Sequence, residues 1–492
     1  MRRNGMLLPI ASLPSPYGIG GFSKEAYEFI DLLEETGQKL WQILPLGPTS
    51  YGDSPYQSFS TFAGNPYFID LDTLVEKGWL TKEACEASDY GDNESYIDYG
   101  RIYNSRFVLL KQAFLNSDVL SDEKFAEFCK ANQHWLPDYA LYMALKNQND
   151  GKSWIEWEEE IRLRKPEAVE YYKKELKEEC NFYGFLQYEF HEQWTKVKEY
   201  AHEKGIQIVG DVPIYVAFDS ADTWANPELF QLDEKNLPLG VAGCPPDAFS
   251  ATGQLWGNPL YNWAYHKKTG YDWWLKRIAY CFDLYDIVRI DHFRGFDEYY
   301  SIPYGDETAV NGHWEKGPGM DLFDTVKEKL GELDIIAEDL GFLTESVFQL
   351  LKDSGYPGMK VLQFAFDPSE DSDYLTYKYQ RNCVVYTGTH DNDTTAGWFE
   401  KLSDGDREVA LRYMNSFYTP KEEQHWDLIA LAMRSTADTC IIPVQDFLGL
   451  GSEARINMPS TLGDNWKWRM TKGAFSEELK EKIRRMTKLY GR

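Results

Sequence analysis

Asp286-Ile-Val-Arg-Ile-Asp291-His-Phe-Arg-Gly-Phe296 opens as a buried strand and closes on charge. Ile287, Val288 and Ile290 are β-formers, and the period of two puts Arg289 and Asp291 on one face of that strand. Taken alone, the stretch leaves two readings open. The pair could be a structural tie between strand and helix, or a carboxylate held ionised by its arginine and aimed at a substrate. What surrounds the stretch decides between them.

Seven more short apolar runs flank it: Met6 to Ile10, Leu40 to Leu44, Ile206 to Val209, Asp334 to Ile336, Val361 to Phe366, Cys383 to Tyr386 and Cys440 to Val444. Helical patterns precede most of them. Lys24 to Gly37 carries Ala26, Phe29, Ile30 and Leu33 at helical spacing, with Ser23 as its expected N-cap and Gly37 as its stop. Asp321 to Leu330 ends at Gly331, and Ser346 to Ser354 follows Thr344 and ends at Gly355. Eight strands alternating with helices predict an α/β fold of the parallel (β/α)8 TIM-barrel type. The interval from Leu46 to Gly205 is far too long for one helix. Tyr103 to Tyr200 within it reads as mostly helical, so residues 61–200 are expected to be a helical subdomain inserted between strands 2 and 3. The barrel then comprises residues 1–60 and 201–492. Pro245 to Pro259 is rich in turn formers and aromatics and is expected to be an irregular loop over the C-terminal face.

Composition narrows the function classes. Acidic side chains outnumber basic ones 79 to 51, and the net charge of -28 repels phosphate backbones and anionic membrane surfaces. No nucleic acid or membrane partner is expected. The seven cysteines are scattered without a C-x-x-C pair, which suits a reducing, cytoplasmic compartment. The apolar start is short and broken by Pro9 and Pro14, unlike a secretory signal, and no uninterrupted apolar run reaches membrane-spanning length.

Barrel enzymes carry their chemistry at the C-terminal ends of the strands. Carboxylates stand there in this chain: Asp211 after the third run, Asp291 after the fourth, Glu338 after the fifth, His390-Asp391 after the seventh and Asp446 after the eighth. Alternation in Asp334-Ile-Ile-Ala-Glu338 sets Ile336 and Glu338 on one face and Ile335 and Ala337 on the other. An inward carboxyl on an apolar strand has its pKa raised and can hold a proton near neutrality. Asp291 has an arginine and Glu338 has none, an asymmetry that suits two-carboxylate glycoside chemistry. A strand-end Glu338 that merely caps the next helix is the plain alternative. A metal site drawn from His292, His390, Asp211 and Asp391 is another, though no H-x-H or H-E-x-x-H spacing supports it. Tyr51, Tyr56, Phe249 and Trp256 lie in Gly/Pro/Ser-rich loops, where rings can stack on sugar faces.

Gly210-Asp-Val-Pro-Ile-Tyr-Val-Ala-Phe-Asp-Ser-Ala-Asp222, Gly253-Gln-Leu-Trp-Gly-Asn-Pro259, Arg289-Ile-Asp291-His, Ala337-Glu-Asp-Leu-Gly341 and Thr389-His-Asp-Asn392 together resemble the amylomaltases. These are the 4-α-glucanotransferases of the α-amylase superfamily. Ser12-Leu-Pro-Ser-Pro-Tyr-Gly-Ile-Gly20, Trp41-Gln-Ile-Leu-Pro-Leu46, Tyr51-Gly-Asp-Ser-Pro-Tyr-Gln57 and Asn457-Met-Pro459 extend the resemblance over nearly the whole chain. It implies Asp291 as nucleophile, Glu338 as acid/base and Asp391 as the third carboxylate. Arg289, His390, Asp211, Tyr56, Phe249, Trp256 and Asn258 are the implied substrate-binding residues. It also implies α-1,4-glucan donors and acceptors, glucose among them, and neither metal nor cofactor. Two departures stand out. Asp211 leads into Val-Pro-Ile-Tyr where the wider amylases carry Asn-His, which favours the amylomaltase branch, and Ala248 replaces a tyrosine common among relatives. No carbohydrate-binding module is expected ahead of the barrel. A hydrolase of the same superfamily and a non-catalytic glucan-binding protein are the alternatives; the complete carboxylate trio speaks against the second.

Overall fold

The computed structural model describes residues 2–50, 52–246, 250–341, 343–367, 369, 371–461 and 463–492. Eight strands run parallel: β1 (Arg3–Leu7), β2 (Leu40–Gln42), β3 (Gln207–Pro213), β4 (Ile287–Asp291), β5 (Ile335–Ala337), β6 (Gly358–Val361), β7 (Cys383–Tyr386) and β8 (Thr439–Pro443). Their ladder runs β6-β7-β8-β1-β2-β3-β4-β5. Its two ends meet where the Ala337 N–H donates to the Pro357 carbonyl at 3.0 Å and the Met359 N–H to the Asp339 carboxylate at 2.6 Å. The sheet thereby closes into the (β/α)8 barrel that the eight runs predict.

Period-two alternation sorts the side chains. Leu7, Leu40, Val209, Ile287, Ile336, Met359, Val361, Val384, Tyr386 and Ile441 form one cluster inside the barrel. Ile208, Val288, Ile290, Ile335, Ala337, Val385 and Ile442 belong to a second cluster that the surrounding helices complete. The parity that sends Ile287 and Ile336 inward also sends Arg289, Asp291 and Glu338 inward, because each lies an even number of residues further on. Gly210 of β3 has a packing reason: a Cβ there would lie 2.1 Å from the Tyr285 ring, on the residue that leads into β4.

Two runs are misplaced by the sequence reading. β1 ends at Leu7 rather than running from Met6 to Ile10, because Pro9 precedes the 3-10 turn Ile10–Ser12. β6 occupies 358–361, and Leu362–Phe364 curls into a 3-10 turn. The apolar character of 361–366 reflects the burial of Leu362, Ala365 and Phe366, not ladder pairing. Helices Lys24–Glu35, Met320–Leu330 and Glu345–Ser354 stop where expected, at Gly37, Gly331 and Gly355, all with positive φ. Ser23 does sit at the N-cap position, but its hydroxyl lies 2.7 Å from the Glu25 carboxylate and from Ser15 Oγ and caps nothing.

Between β2 and β3 the chain is mainly helical, with Tyr99–Asn116, Glu123–Ala131, Leu136–Gln148, Pro166–Glu175 and the 27-residue helix Lys177–Glu203 as its main elements. The last of these feeds directly into β3. Its final turns pack on Lys24–Glu35, where Tyr200 donates to Asp31 at 2.8 Å and meets Tyr27 edge-on. A small antiparallel sheet, Gln254–Pro259, Gly240–Cys244, Glu298–Pro303 and His313–Lys316 in that order, stands beside the barrel. Gln254–Pro259 is therefore a strand, and the expectation of an irregular 245–259 loop fails over its second half. The positive φ of Gly253 turns the chain back on Gly240–Cys244. Among the described residues no helix is long and apolar enough to cross a membrane.

Candidate active site

Four strands deliver the polar side chains that the barrel interior ends on. Arg289 is 3% exposed and its Nη1 lies 2.7 and 2.6 Å from the two oxygens of Asp211, which is fully buried at the end of β3. Its Nη2 lies 3.0 Å from Asp291, whose side chain keeps 30% exposure. Nε meets the Met359 sulphur at 3.4 Å. One guanidinium thus serves two carboxylates, one spent inside the protein and one open to the cleft. The Tyr56 hydroxyl donates to Asp211 at 2.8 Å, and its ring stacks on His390 at 5.1 Å and 18°.

Glu338 follows the Ile335–Ala337 strand and lies beside the end of β4. Its two carboxylate oxygens accept the main-chain N–H groups of His292 at 2.7 Å and Leu340 at 2.8 Å. His292 adopts left-handed φ (55°), so the chain turns sharply straight after Asp291. Burial pushes the Glu338 carboxyl up to about 8, the charge of Asp291 adds to the push, and Arg289 with the two N–H groups pulls the other way. Burial also raises Asp291, to about 6. Arg289 opposes that rise, while Asp211 and Asp391 reinforce it. Here the sequence reading needs correction: the arginine lowers Asp291 but does not bring it below the usual carboxylate range, because burial, with the charges of Asp211 and Asp391, raises it by more. It does keep Asp291 the more acidic of the two, so one carboxyl is set to be an anion while its neighbour holds a proton.

Asp391 completes the group from the loop after β7. Its Oδ1 accepts from Asn457 Nδ2 at 2.6 Å, and Oδ2 lies 3.4 Å from His390 Nε2. Arg455 ties the same loop, donating to the carbonyls of Asp391 at 2.6 Å and Asn457 at 2.7 Å. Trp466 packs against both Tyr56 and His390.

The remaining expected residues divide. Trp256 stands edge-on to His292 at 4.8 Å, beside Asp291. Asn258 is buried with its amide engaged by the protein, donating to the Val216 carbonyl at 2.8 Å and accepting from Gln57 at 3.3 Å. Tyr51 and Phe249 lie outside the described residues. Asp446 leaves the group altogether. It is buried under Thr387 Oγ1, Thr395 Oγ1 and the Thr395 N–H at 2.5–2.7 Å and ties β7 to the helix that follows. The metal alternative loses Asp211 to Arg289, and among the described residues no three His, Cys, Asp or Glu side chains are grouped to hold an ion.

A family model described as 4-alpha-glucanotransferase matches residues 8–475. The chain belongs to the 4-alpha-glucanotransferase family. A member from Clostridium butyricum is 54% identical over 485 residues, covering 98% of this chain and 99% of its own. One from Thermus thermophilus is 46% identical over 494 residues, with 99% and 98% covered. Among solved structures, amylomaltase from Streptococcus agalactiae in complex with acarbose superposes with a TM-score of 0.96 at 42% identity, each chain fully covered. Within this 4-alpha-glucanotransferase family fold, Arg455 and Trp466 are site-forming residues that the sequence reading missed, and Asn457 entered only as part of a motif. They sit 64 or more residues beyond Asp391, in a segment with no periodic pattern, and only Asn457-Met-Pro459 signalled it.

Proposed function

We infer that this chain is a 4-alpha-glucanotransferase that moves segments of α-1,4-glucan between maltodextrins by retaining double displacement. The observation that carries the mechanism is the pair of carboxyls at adjacent strand ends with opposed charge settings, Asp291 against Arg289 and Glu338 without a cation of its own. In the first step the Asp291 anion attacks the anomeric carbon. The glycosidic bond breaks, and its oxygen leaves with the proton of Glu338. In the second step the ionised Glu338 takes the proton of an acceptor 4-hydroxyl as that oxygen displaces Asp291, which restores both groups. Asp391, held by Asn457 and His390, is the group we assign to the hydroxyls of the reacting sugar as its ring flattens. Tyr56, His390 and Trp256 offer rings and donors around that sugar, and Asp211 fixes Arg289 from behind. Asn258 contributes by holding the loop after β3 rather than by a free amide.

Acceptors on this reading include maltodextrins and glucose. A cytoplasmic setting is proposed from the seven scattered cysteines, which include no C-x-x-C pair. As the working division of the chain, we propose residues 1–60 and 201–492 as the catalytic barrel, with the helices of 61–200 as a subdomain on its flank. Water is present at about 55 M, so transfer requires that binding energy align the acceptor and that the cleft limit productive attack by water. Incubation with maltotriose should yield glucose and products longer than the substrate, with total reducing ends nearly constant. Glucose and maltose alone, with reducing ends rising in step, would identify a hydrolase.

A further inference from the structure

A cavity of about 180 Å³ lies at the seam where the helix Leu136–Gln148 meets the loop after β3 and the helices Trp263–Lys268 and Asp272–Leu284. Phe62, Trp135, Tyr139, Tyr265 and Trp273 line it. Phe62 is the hub of these rings, parallel to Trp135 at 6.1 Å and edge-on to Trp273 at 6.3 Å. The wall carries four carboxylates, Asp138, Asp222, Glu228 and Asp272, against Lys276 and His134. Asp138 is spent on Arg164 and Asp272 on Lys276, each at 2.7 Å, whereas Glu228 is exposed and Asp222 accepts the Thr61 N–H at 2.8 Å. Two donors of this wall stand buried without any hydrogen-bond partner among the described residues: the hydroxyl of Tyr139, a residue 1% exposed, and the indole N–H of Trp273, 9% exposed. Unpaired buried donors are uncommon in folded proteins and mark a surface whose hydrogen bonding is incomplete.

The chemistry of this wall selects its ligand. Excess carboxylate repels phosphates and other anions. A bound metal ion has no set of three ligands here among the described residues. What fits is a neutral polyhydroxylated molecule whose apolar faces lie on rings and whose hydroxyls donate to carboxylates. We propose that this cavity is a second sugar-binding site, taking one or two glucosyl units of an α-glucan outside the catalytic cleft; the proposal rests on the glucanotransferase reading above. Ser60 and Phe62 also border a neighbouring space closed by Tyr56 and Asp211, so the segment that carries the Phe62 ring is continuous with the one that packs behind Arg289. A long glucan engages both sites and gains from the second as a tether, whereas a trisaccharide at the catalytic centre leaves the second site empty.

The test compares long and short substrates in the full chain carrying Glu228→Gln or Tyr265→Ala, neither of which belongs to the catalytic group. KM for amylose should rise about fivefold in Tyr265→Ala, the loss of one stacked ring, while kcat and KM for maltotriose stay within about twofold. Retardation in native gels cast with amylose should weaken in both variants. Unchanged amylose KM and unchanged retardation would overturn the proposal. So would an equal loss on maltotriose, which would mean that the residues act through the fold or the cleft. Glu228 is exposed, so Glu228→Gln decides the matter even if Tyr265→Ala does not fold. Failure of the glucanotransferase reading itself looks different, because the unaltered protein would then not disproportionate maltotriose.

Discussion

Asp291 ends one strand of the barrel and Asp446 stands just past another, and the two carboxylates have opposite fates. Asp291 shares a guanidinium with Asp211, keeps nearly a third of its surface, and faces a neighbour that holds a proton. Asp446 is sealed under two threonine hydroxyls and a main-chain N–H, and it joins β7 to the helix after it. Position at a strand's end therefore offers a site for chemistry without assigning one. The assignment lies in the partners: a cation shared with the cleft in one case, a full set of neutral donors in the other.

The comparison breaks first on paired substitutions. Asp291→Asn should lower kcat on maltotriose by about four orders of magnitude or more, because covalent catalysis is lost, with the thermal midpoint little changed. Asp446→Asn should do the reverse, costing about 2–3 kcal/mol of stability through a mismatched buried hydrogen-bond set while the folded protein retains most of its kcat. Melting curves beside initial rates separate the two, and a catalytic collapse at Asp446 with an unchanged melt would undo the distinction.

Asn457→Ala sharpens it at Asp391. With its carboxylate no longer held at 2.6 Å, kcat should fall about ten- to a hundredfold from misplacement of a group that contacts the sugar. Substrate-depletion curves should show the loss in kcat more than in KM. An effect confined to KM would mean that Asn457 simply binds sugar.

The pH profile follows from the opposed settings. Activity requires Asp291 ionised and Glu338 protonated. It should therefore fall as pH drops through about 6, where Asp291 takes up a proton, and as pH rises through about 8, where Glu338 loses one. In Glu338→Gln the alkaline limb should disappear along with most of the rate; a retained limb would place the acid elsewhere. Smallest of all, Tyr56→Phe removes one hydrogen bond to Asp211 and keeps the ring on His390. A loss of about tenfold is expected from one charge-assisted bond, about 1.5 kcal/mol.

Much of this centre is legible in the sequence because parity is a local property. Ile287 and Ile336 set the inward face, and Arg289, Asp291 and Glu338 inherit it. Family motifs carried the rest of the carboxylate trio. What stayed hidden depends on contacts across the chain. The burial of Asp291 and the Asp211 charge beside it both need the folded barrel with β3 next to β4, so the rise of Asp291 could not be foreseen from Arg-Ile-Asp alone. Arg455 and Trp466 reach the site from a distant segment without periodicity. Gln254–Pro259 becomes a strand only because Gly240–Cys244 is there to pair with it.

The claim that Asp291 and Glu338 divide nucleophile from acid is tested most directly by trapping the intermediate. Glu338→Gln supplied with α-maltotriosyl fluoride, whose leaving group needs no protonation, and given no acceptor should accumulate a glycosyl-enzyme. Peptide mass spectrometry should find the maltotriosyl ester on the peptide containing Asp291 and on its carboxylate. An ester on Asp211, Asp391 or any other residue, or fluoride release at the unaltered rate from a protein that carries both Asp291→Asn and Glu338→Gln, would contradict the account.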